Sequence, residues 1–383
     1  MKSLLHSLVS LPGMMLALAL PGSALAQPLP GPTDPVTTTH RIDIAFDRAA
    51  GAPDIQLWPE PLFVLGFSLD PDKKFNGLHL VCGSNSDPTR GACVTEGSLS
   101  GYNNVGSYTK LRFVEERSSQ VQDLSIHGYL RRVGDHERAC GWLGIIHGLH
   151  SNHVGNCPER YPTYGTGISS TLEGSALNAL PPGRWRASLV QELRDGDGMA
   201  VATHTFNFQV DVTDDNAAEI YFPDQPVTVP HVGLNLRRSA STPATLGGEA
   251  VLNMCLYDGR GSQSSHLELE VRDEGKAAPG RTSGRHSAYR QGGGEAAADR
   301  IDFETWLDYE GRSLRMENGQ TVRLDGTDHA RLRRVRLPGM LEPVYCVPTP
   351  LTLRTPAVSA DSKTSGYYRG RLTVQMTIPT TTP

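Results

Sequence analysis

The residues best suited to chemistry in this sequence are three histidines, His147, His150 and His153 in HGLHSNH, followed by Cys157. Three imidazoles around an ion would make a zinc site with one position open. The spacing argues against it. Two steps of three residues turn the rings through about 120° on a helix, and on a strand such steps alternate faces. Cys157 is a ligand only as a thiolate, so oxidation would remove it. The cluster is therefore read as polar packing or exposed surface. No G-x-S-x-G elbow, H-E-x-x-H pair, P-loop or G-x-G-x-x-G fingerprint occurs. Scattered Ser, His and Asp residues do not compose a triad. No catalytic residue, metal or cofactor is assigned, and enzyme activity is not expected.

Six cysteines are present: Cys82, Cys93, Cys140, Cys157, Cys255 and Cys346. Their meaning depends on compartment. Lys2, the short apolar run Met14–Leu20 and Ser23-Ala24-Leu25-Ala26 read as a secretion signal over residues 1–26. In an exported chain an even cysteine count reads as disulfides, with fifteen pairings open to six cysteines. Proximity favours Cys82–Cys93, Cys140–Cys157 and Cys255–Cys346.

The elements that must hold these residues are strands. Gly and Pro number 40 and 27 in 383 residues, too many breakers for a helical bundle. At 38% hydrophobic and 20% charged the chain is too apolar to be disordered. A net charge of -5 disfavours a nucleic-acid partner. Beyond the signal no apolar run is long enough to cross a membrane.

Short runs alternate at period two: Leu111 and Phe113, Leu124 and Ile126, Trp185 to Leu189, and Phe206 to Val212. Others follow at Ile220 and Phe222, Leu234 and Leu236, Leu267 to Val271, and Val335 and Leu337. Period two describes half-buried antiparallel strands, and many short ones suggest β-sandwiches. The polar break Asp214-Asp215-Asn216 divides the chain into two parts of domain size. Residues 273–300, rich in Gly, Ala and Arg, read as a mobile surface loop whose Arg281, Arg285 and Arg290 serve solvation.

Several stretches are more specific. VGLNLRRS (232–239), VLNMCLYDGRGSQSSHLELEVRDE (251–274), LRRVRLPGMLEPVYCVPTPLTL (332–353) and GYYRGRLTVQMTI (366–378) follow in order. Before them come GACV (91–94), LRFVEERS (111–118), LSIHGY (124–129) and PPGRWRASL (181–189). Together they resemble the CblD-like pilus initiator family, the tip adhesins of class 5 fimbriae that include the colonization factor pili.

The resemblance implies an all-β chain of two tandem immunoglobulin-like β-sandwiches. Residues 27–214 would be the adhesin domain, 215–217 a linker, and 218–383 a pilin domain lacking its last strand. Implied partners are a periplasmic chaperone, an outer-membrane usher, a major pilin that donates a strand, and a host-surface glycoconjugate or protein receptor. The implied location is the pilus tip, reached through the periplasm. The family's cysteine order is compatible with the three pairings above. The rival reading is a secreted β-rich carbohydrate-active hydrolase or a periplasmic binding module.

The C-terminal residues agree with an unfinished sandwich. Leu372, Val374, Met376 and Ile378 alternate with polar residues close to the end of the sequence. A terminal apolar strand leaves an edge that invites pairing, and a strand added in trans would complete it. Tyr368 and Gly370 are expected to begin this strand. Residues 27–40 carry Pro28, Pro30, Pro32 and Pro35 and no alternating pattern, so the chain is expected to receive a strand without donating one.

The resemblance also implies an arginine cluster for sialylated receptors. At the matching positions this sequence has Gly77, with Lys73 and Lys74 nearby, and Asp195-Gly196 beside Arg194. Lys73, Lys74, Arg184, Arg186 and Arg194 are the candidate replacements.

Overall fold

The computed structural model describes residues 29–379, except 59–61, 100–103, 136–139, 158–159, 276–279, 339 and 341–342. The proposed signal, residues 1–26, lies outside the described residues.

In the first part, alternation builds the sheets. The strands are β1 (Thr38–Asp47), β2 (Ile55–Gln56), β3 (Phe63–Phe67), β4 (His79–Cys82), β5 (Ser107–Glu115), β6 (Val121–Val133), β7 (Gly165–Leu172), β8 (Gly183–Arg194) and β9 (Ala200–Thr213). Along β9, Phe206, Phe208, Val210 and Val212 are buried and the residues between them are not. A single nine-stranded sheet runs β1-β9-β8-β5-β6-β7-β2, with β4 beside β8 and β3 beside β7, and it folds into two layers between β8 and β5. The two meet at a corner of two pairs, Val114–Arg186 and Glu115–Trp185. Between them lies one core in which Phe113 of β5 meets Phe208 of β9 at 5.6 Å between ring centroids. Trp185, Leu111, Ile126, Leu189 and Phe206 are fully enclosed there, each contributing about 1.5–3 kcal/mol.

The second part comprises β10 (Glu219–Tyr221), β11 (Arg237–Arg238), β12 (Thr245–Leu252), β13 (Cys255–Tyr257), β14 (His266–Asp273), β15 (His286–Arg290), β16 (Arg300–Tyr309), β17 (Arg312–Met316), β18 (Thr321–Asp325), β19 (Arg333–Val335), β20 (Val344–Pro348), β21 (Leu351–Ser359), β22 (Tyr368–Arg369) and β23 (Leu372–Thr377). The largest sheet runs β11-β12-β21-β16-β15-β22, a three-stranded sheet runs β18-β14-β23, and a third runs β10-β13-β20-β19. Leu267, Leu269 and Val271 of β14 share a core with Phe303, Leu307, Leu351 and Leu353. The protein is thus all-β, with two tandem sandwiches.

Three disulfides brace these sheets: Cys82–Cys93, Cys140–Cys157 and Cys255–Cys346, with Cα atoms 5.3, 5.6 and 5.7 Å apart. The last ties β13 to β20 across 91 residues.

Two expectations are corrected. Leu234 and Leu236 are not in a strand; only Arg237–Arg238 pairs there. The segment instead crosses β12 closely, so that a Cβ on Gly248 would stand 2.4 Å from Leu234 O. Residues 273–300 are also not a loop throughout, because β15 lies inside them with His286, Ser287 and Ala288 buried. Their arginines are engaged by carboxylates: Arg281 by Asp273, Arg285 by Glu304 at 3.0 Å and Arg290 by Asp299 at 2.6 Å. Composition alone does not distinguish such pairs from solvated charge.

The joint between the two parts is a short 3-10 turn, Asp215–Ala217. Asp214 N donates to Gly259 O at 2.8 Å, and Arg260 pairs with Asp215 at 3.1 Å. Glu115, buried at the end of β5, accepts from Ser118 N and Oγ and from Arg117 N on its own turn. Its other oxygen takes Gln263 Nε2 of the second part at 2.8 Å, and Arg117 donates to Ala330 O at 2.7 Å. Gly261 has φ +67°, and a Cβ there would stand 2.7 Å from Pro182 O. The joint therefore rests on close backbone contact and a satisfied buried carboxylate.

Candidate functional site

The C-terminal strand is an edge. β23 pairs with β14 from Asp273–Leu372 to Glu268–Thr377, and among the described residues no strand lies on its other side. Leu372, Val374, Met376 and Ile378 face the core yet stay only partly buried. Val232 and Leu234 reach the same core and are also only partly buried. An apolar face left half-covered beside unpaired backbone groups is a ready site for strand addition.

Tyr368 and Gly370 do not begin that strand. Tyr368–Arg369 forms β22 against β15, and the chain then crosses to the other sheet before β23 begins at Leu372. The crossing passes close over β15: a Cβ on Gly370 would stand 2.7 Å from Ser287 O and 3.2 Å from Ala288 Cα. Glycine is therefore required at this step.

The five candidate cations fall into two groups. Lys73, Lys74 and Arg194 gather at the end of the first sandwich away from the joint. There Gly196 N donates to Lys74 O at 3.3 Å, and Arg194 pairs with His79 across β8 and β4. Arg184 and Arg186 sit at the opposite end of β8, about 26 Å or more from Arg194 at 3.3 Å per residue. They are held by Asp211 and Glu116. In the far group, Lys73 is paired with Asp34 at 2.8 Å, which raises its pKa, and Arg194 with Glu192 at 2.5 Å. Asp70, Asp72, Asp195 and Asp197 lie alongside in sequence, so no strongly positive patch forms.

The histidine cluster packs in place. His147 is buried, stacks on His153 at 5.6 Å, and burial pushes its pKa down to about 4. Among the described residues no cluster of His, Cys, Asp or Glu could hold a metal ion. Beside it lies Arg132, fully buried, its pKa lowered by desolvation to about 9. Its guanidinium donates to Leu78 O, Ser151 O, His153 O and the Thr166 hydroxyl at 2.5–2.9 Å. Arg132 thus knits the histidine loop to β7 and to the turn before β4. Nothing in the sequence around Arg132 marked it as buried.

A further strand escaped sequence reading. β1 runs parallel to β9 through ten pairs, with Ile42, Ile44 and Phe46 facing the core. Alternation in RIDIAFD was the available signal. Upstream of it, Thr33 exchanges both backbone hydrogen bonds with Phe67 at 2.8 Å.

Two tandem sandwiches, a half-covered terminal edge strand and three disulfides define a fimbrial-subunit architecture. The family model for the first domain of the CFA/I fimbrial protein CfaE matches residues 30–215, and that for its second domain matches residues 218–380. The chain belongs to the CfaE family of CFA/I fimbrial proteins. It is 26% identical over 320 residues to the CFA/I fimbrial protein CfaE of Escherichia coli, spanning 79% of this chain and 82% of that protein. Among solved structures it resembles CfaE described as the adhesive subunit of CFA/I fimbria of enterotoxigenic Escherichia coli. That match has TM-score 0.73 and 23% identity over 93% of this chain and 95% of that one. A structure of a chaperone–tip adhesin complex from CFA/I fimbriae biogenesis matches at TM-score 0.64 and 22% identity, covering 92% and 98%. At these identities the structural matches establish the fold.

Proposed function

We propose that this chain is the minor subunit at the tip of a class 5 fimbrium. It binds host-cell receptors through the first sandwich (27–214) and initiates chaperone–usher assembly through the second (218–383). The signal at residues 1–26 sends it to the periplasm, where a chaperone holds it and passes it to the outer-membrane usher. The next pilin then donates a strand beside β23, and the mature protein stands at the cell surface.

The observation that carries this reading is the free edge of β23 with its half-covered Leu372, Val374, Met376 and Ile378. Four or five donor side chains filling such an edge would stabilise the domain by about 6–15 kcal/mol before ordering costs. The tip position is supported by β1, whose alternating strand is already engaged by β9 of its own domain. The solved structures it resembles are named as adhesins, and no catalytic constellation was found in this sequence, so the proposed role is non-enzymatic.

The test is co-expression with and without a peptide spanning the N-terminal extension of the cognate pilin. The expected result is a higher soluble yield and a melting temperature raised by tens of degrees. A chain equally soluble and equally stable without the peptide would sink the proposal.

A further inference from the structure

The outer face of the β5–β6–β7 sheet carries a row of rings. Along β6, Leu124, Ile126 and Leu130 point into the core, so Ser125, His127 and Tyr129 point outward. Tyr108 of β5 pairs directly with His127, and their rings stand 5.0 Å apart. The Tyr129 ring follows at 6.4 Å from His127. Tyr108 is 66% exposed. Trp142 lies further on, its indole over Gly167, which pairs with Arg131, the next outward residue of β6; a Cβ on Gly167 would come within 2.7 Å of the indole.

The polar groups of this row are arranged for a ligand. His127 Nε2 donates to Val105 O at 2.8 Å. That bond places a proton on Nε2, and among the described residues Nδ1 has no partner. Among the described residues neither the Tyr108 nor the Tyr129 hydroxyl has a hydrogen-bond partner. Across the strands, His127 is followed by Thr171 and then Gln56, and Tyr129 by Ser169. Tyr108, His127, Tyr129, Thr171 and Gln56 carry no charged side chain among them; Ser169 is buried, and Arg131 stands between Tyr129 and Trp142. Of the charges around them, Arg112 is paired with Asp123 at 2.8 Å, and the Arg131 side chain is held in place through Nε, which donates to the neutral Leu143 O at 2.7 Å. Lys110 stands exposed at the margin, one outward step along β5.

We infer that this face is the docking surface for an uncharged oligosaccharide. The C–H faces of pyranose rings stack on the aromatic row, and their hydroxyls bond the phenols, the imidazole Nδ1 and the Thr and Gln side chains. An apolar protein segment fits poorly, because Tyr108, His127, Tyr129, Thr171 and Gln56 all carry a polar group whose desolvation it would leave uncompensated. Tyr108, His127, Tyr129, Thr171 and Gln56 offer a sialic acid carboxylate hydrogen bonds and no ion pair; the cations Lys110 and Arg131 stand at the margins of this group. The inference rests on the adhesin reading and gives it a ligand class and a location apart from Lys73, Lys74 and Arg194.

The test uses the full chain on an array of neutral and sialylated mammalian oligosaccharides, with Tyr108→Ala, Tyr129→Ala and the doubly substituted K73A/K74A protein alongside. Neutral glycans should bind. Each tyrosine variant should weaken binding at least tenfold with its melting temperature unchanged, and K73A/K74A should bind normally. Binding confined to sialylated glycans, unaltered by the tyrosine changes, or absent altogether would overturn the inference. Fimbriated cells separate this from the parent reading. If wild-type cells adhere to epithelium, and neither periodate oxidation of the target sugars nor Tyr108→Ala reduces adhesion, a protein receptor is bound; the adhesin reading then survives and this site does not. If wild-type cells do not adhere, both fail.

Discussion

Gly77 and Gly196 lie in contact at the far end of the first sandwich, so closely that a Cβ on Gly77 would stand 2.6 Å from Gly196 Cα. These are positions where the family resemblance implies arginines. Two chain segments meet here backbone to backbone, and a side chain would have to part them. Gly77→Ala should therefore destabilise the protein by about 1–3 kcal/mol, as overpacking does. A denaturant midpoint equal to that of the wild type would show that the contact gives way freely. Gly77→Arg should fare worse and should not create an anion site.

Arg132 is a buried cation whose acceptors are three carbonyls and one hydroxyl, with no carboxylate among them. Replacing it by Met leaves Leu78 O, Ser151 O and His153 O without their donor. The expected loss is about 3–5 kcal/mol. Limited proteolysis should then cut first within 147–155, and an unchanged cleavage pattern would contradict the role given to this side chain.

Much of the fold was legible because half-buried strands advertise themselves by alternation, as in Phe206 to Val212 or Leu267 to Val271. Strands with less contrast were not. β4 is buried at all four residues and so shows no alternation. The site was legible in part. The apolar face of β23 stood out, but the crossing at Gly370 depends on the nearness of Ser287, which no local pattern records. The candidate cations looked like one group because three of them share β8. Strand geometry places Arg184 and Arg186 at one end and Arg194 at the other. Tyr108 and His127 belong to the β5–β6 hairpin, whose alternation was legible, but the register that sets their rings side by side was not.

Gln263 is the second domain's side-chain contact with the buried Glu115 carboxylate. Gln263→Ala removes that bond and should cost about 1.5–3 kcal/mol. Small-angle scattering should report a broader distribution of interdomain orientations. A profile superimposable on the wild type would mean that the backbone contacts at Gly259 and Gly261 suffice.

Two buried histidines give the fold a dependence on pH. Burial pushes His204 and His147 down to about 4, with the His40 ring opposing a charge on His204 and Arg132 opposing one on His147. His204 is enclosed by the Trp58 ring at 4.7 Å and bonded to the Thr38 hydroxyl at 2.8 Å. Unfolded histidines titrate near 6.5, so the native state holds fewer protons than the unfolded one between these values. Stability is full above about pH 6.5 and falls as pH drops toward 4. Urea midpoints measured from pH 7 to pH 4 should decline, and His204→Gln should flatten the slope. Equal slopes for the two proteins would remove His204 from this account.

The parallel pairing of β1 with β9 bears on how the molecule withstands tension. A pull on the second domain enters the first through Asp214, directly after Thr213, the last residue of β9. β9 is laced on one flank to β1 through ten pairs and on the other to β8 along nearly its whole length. Traction along that axis shears both ladders at once instead of peeling them rung by rung. Rupture then demands the simultaneous failure of many bonds.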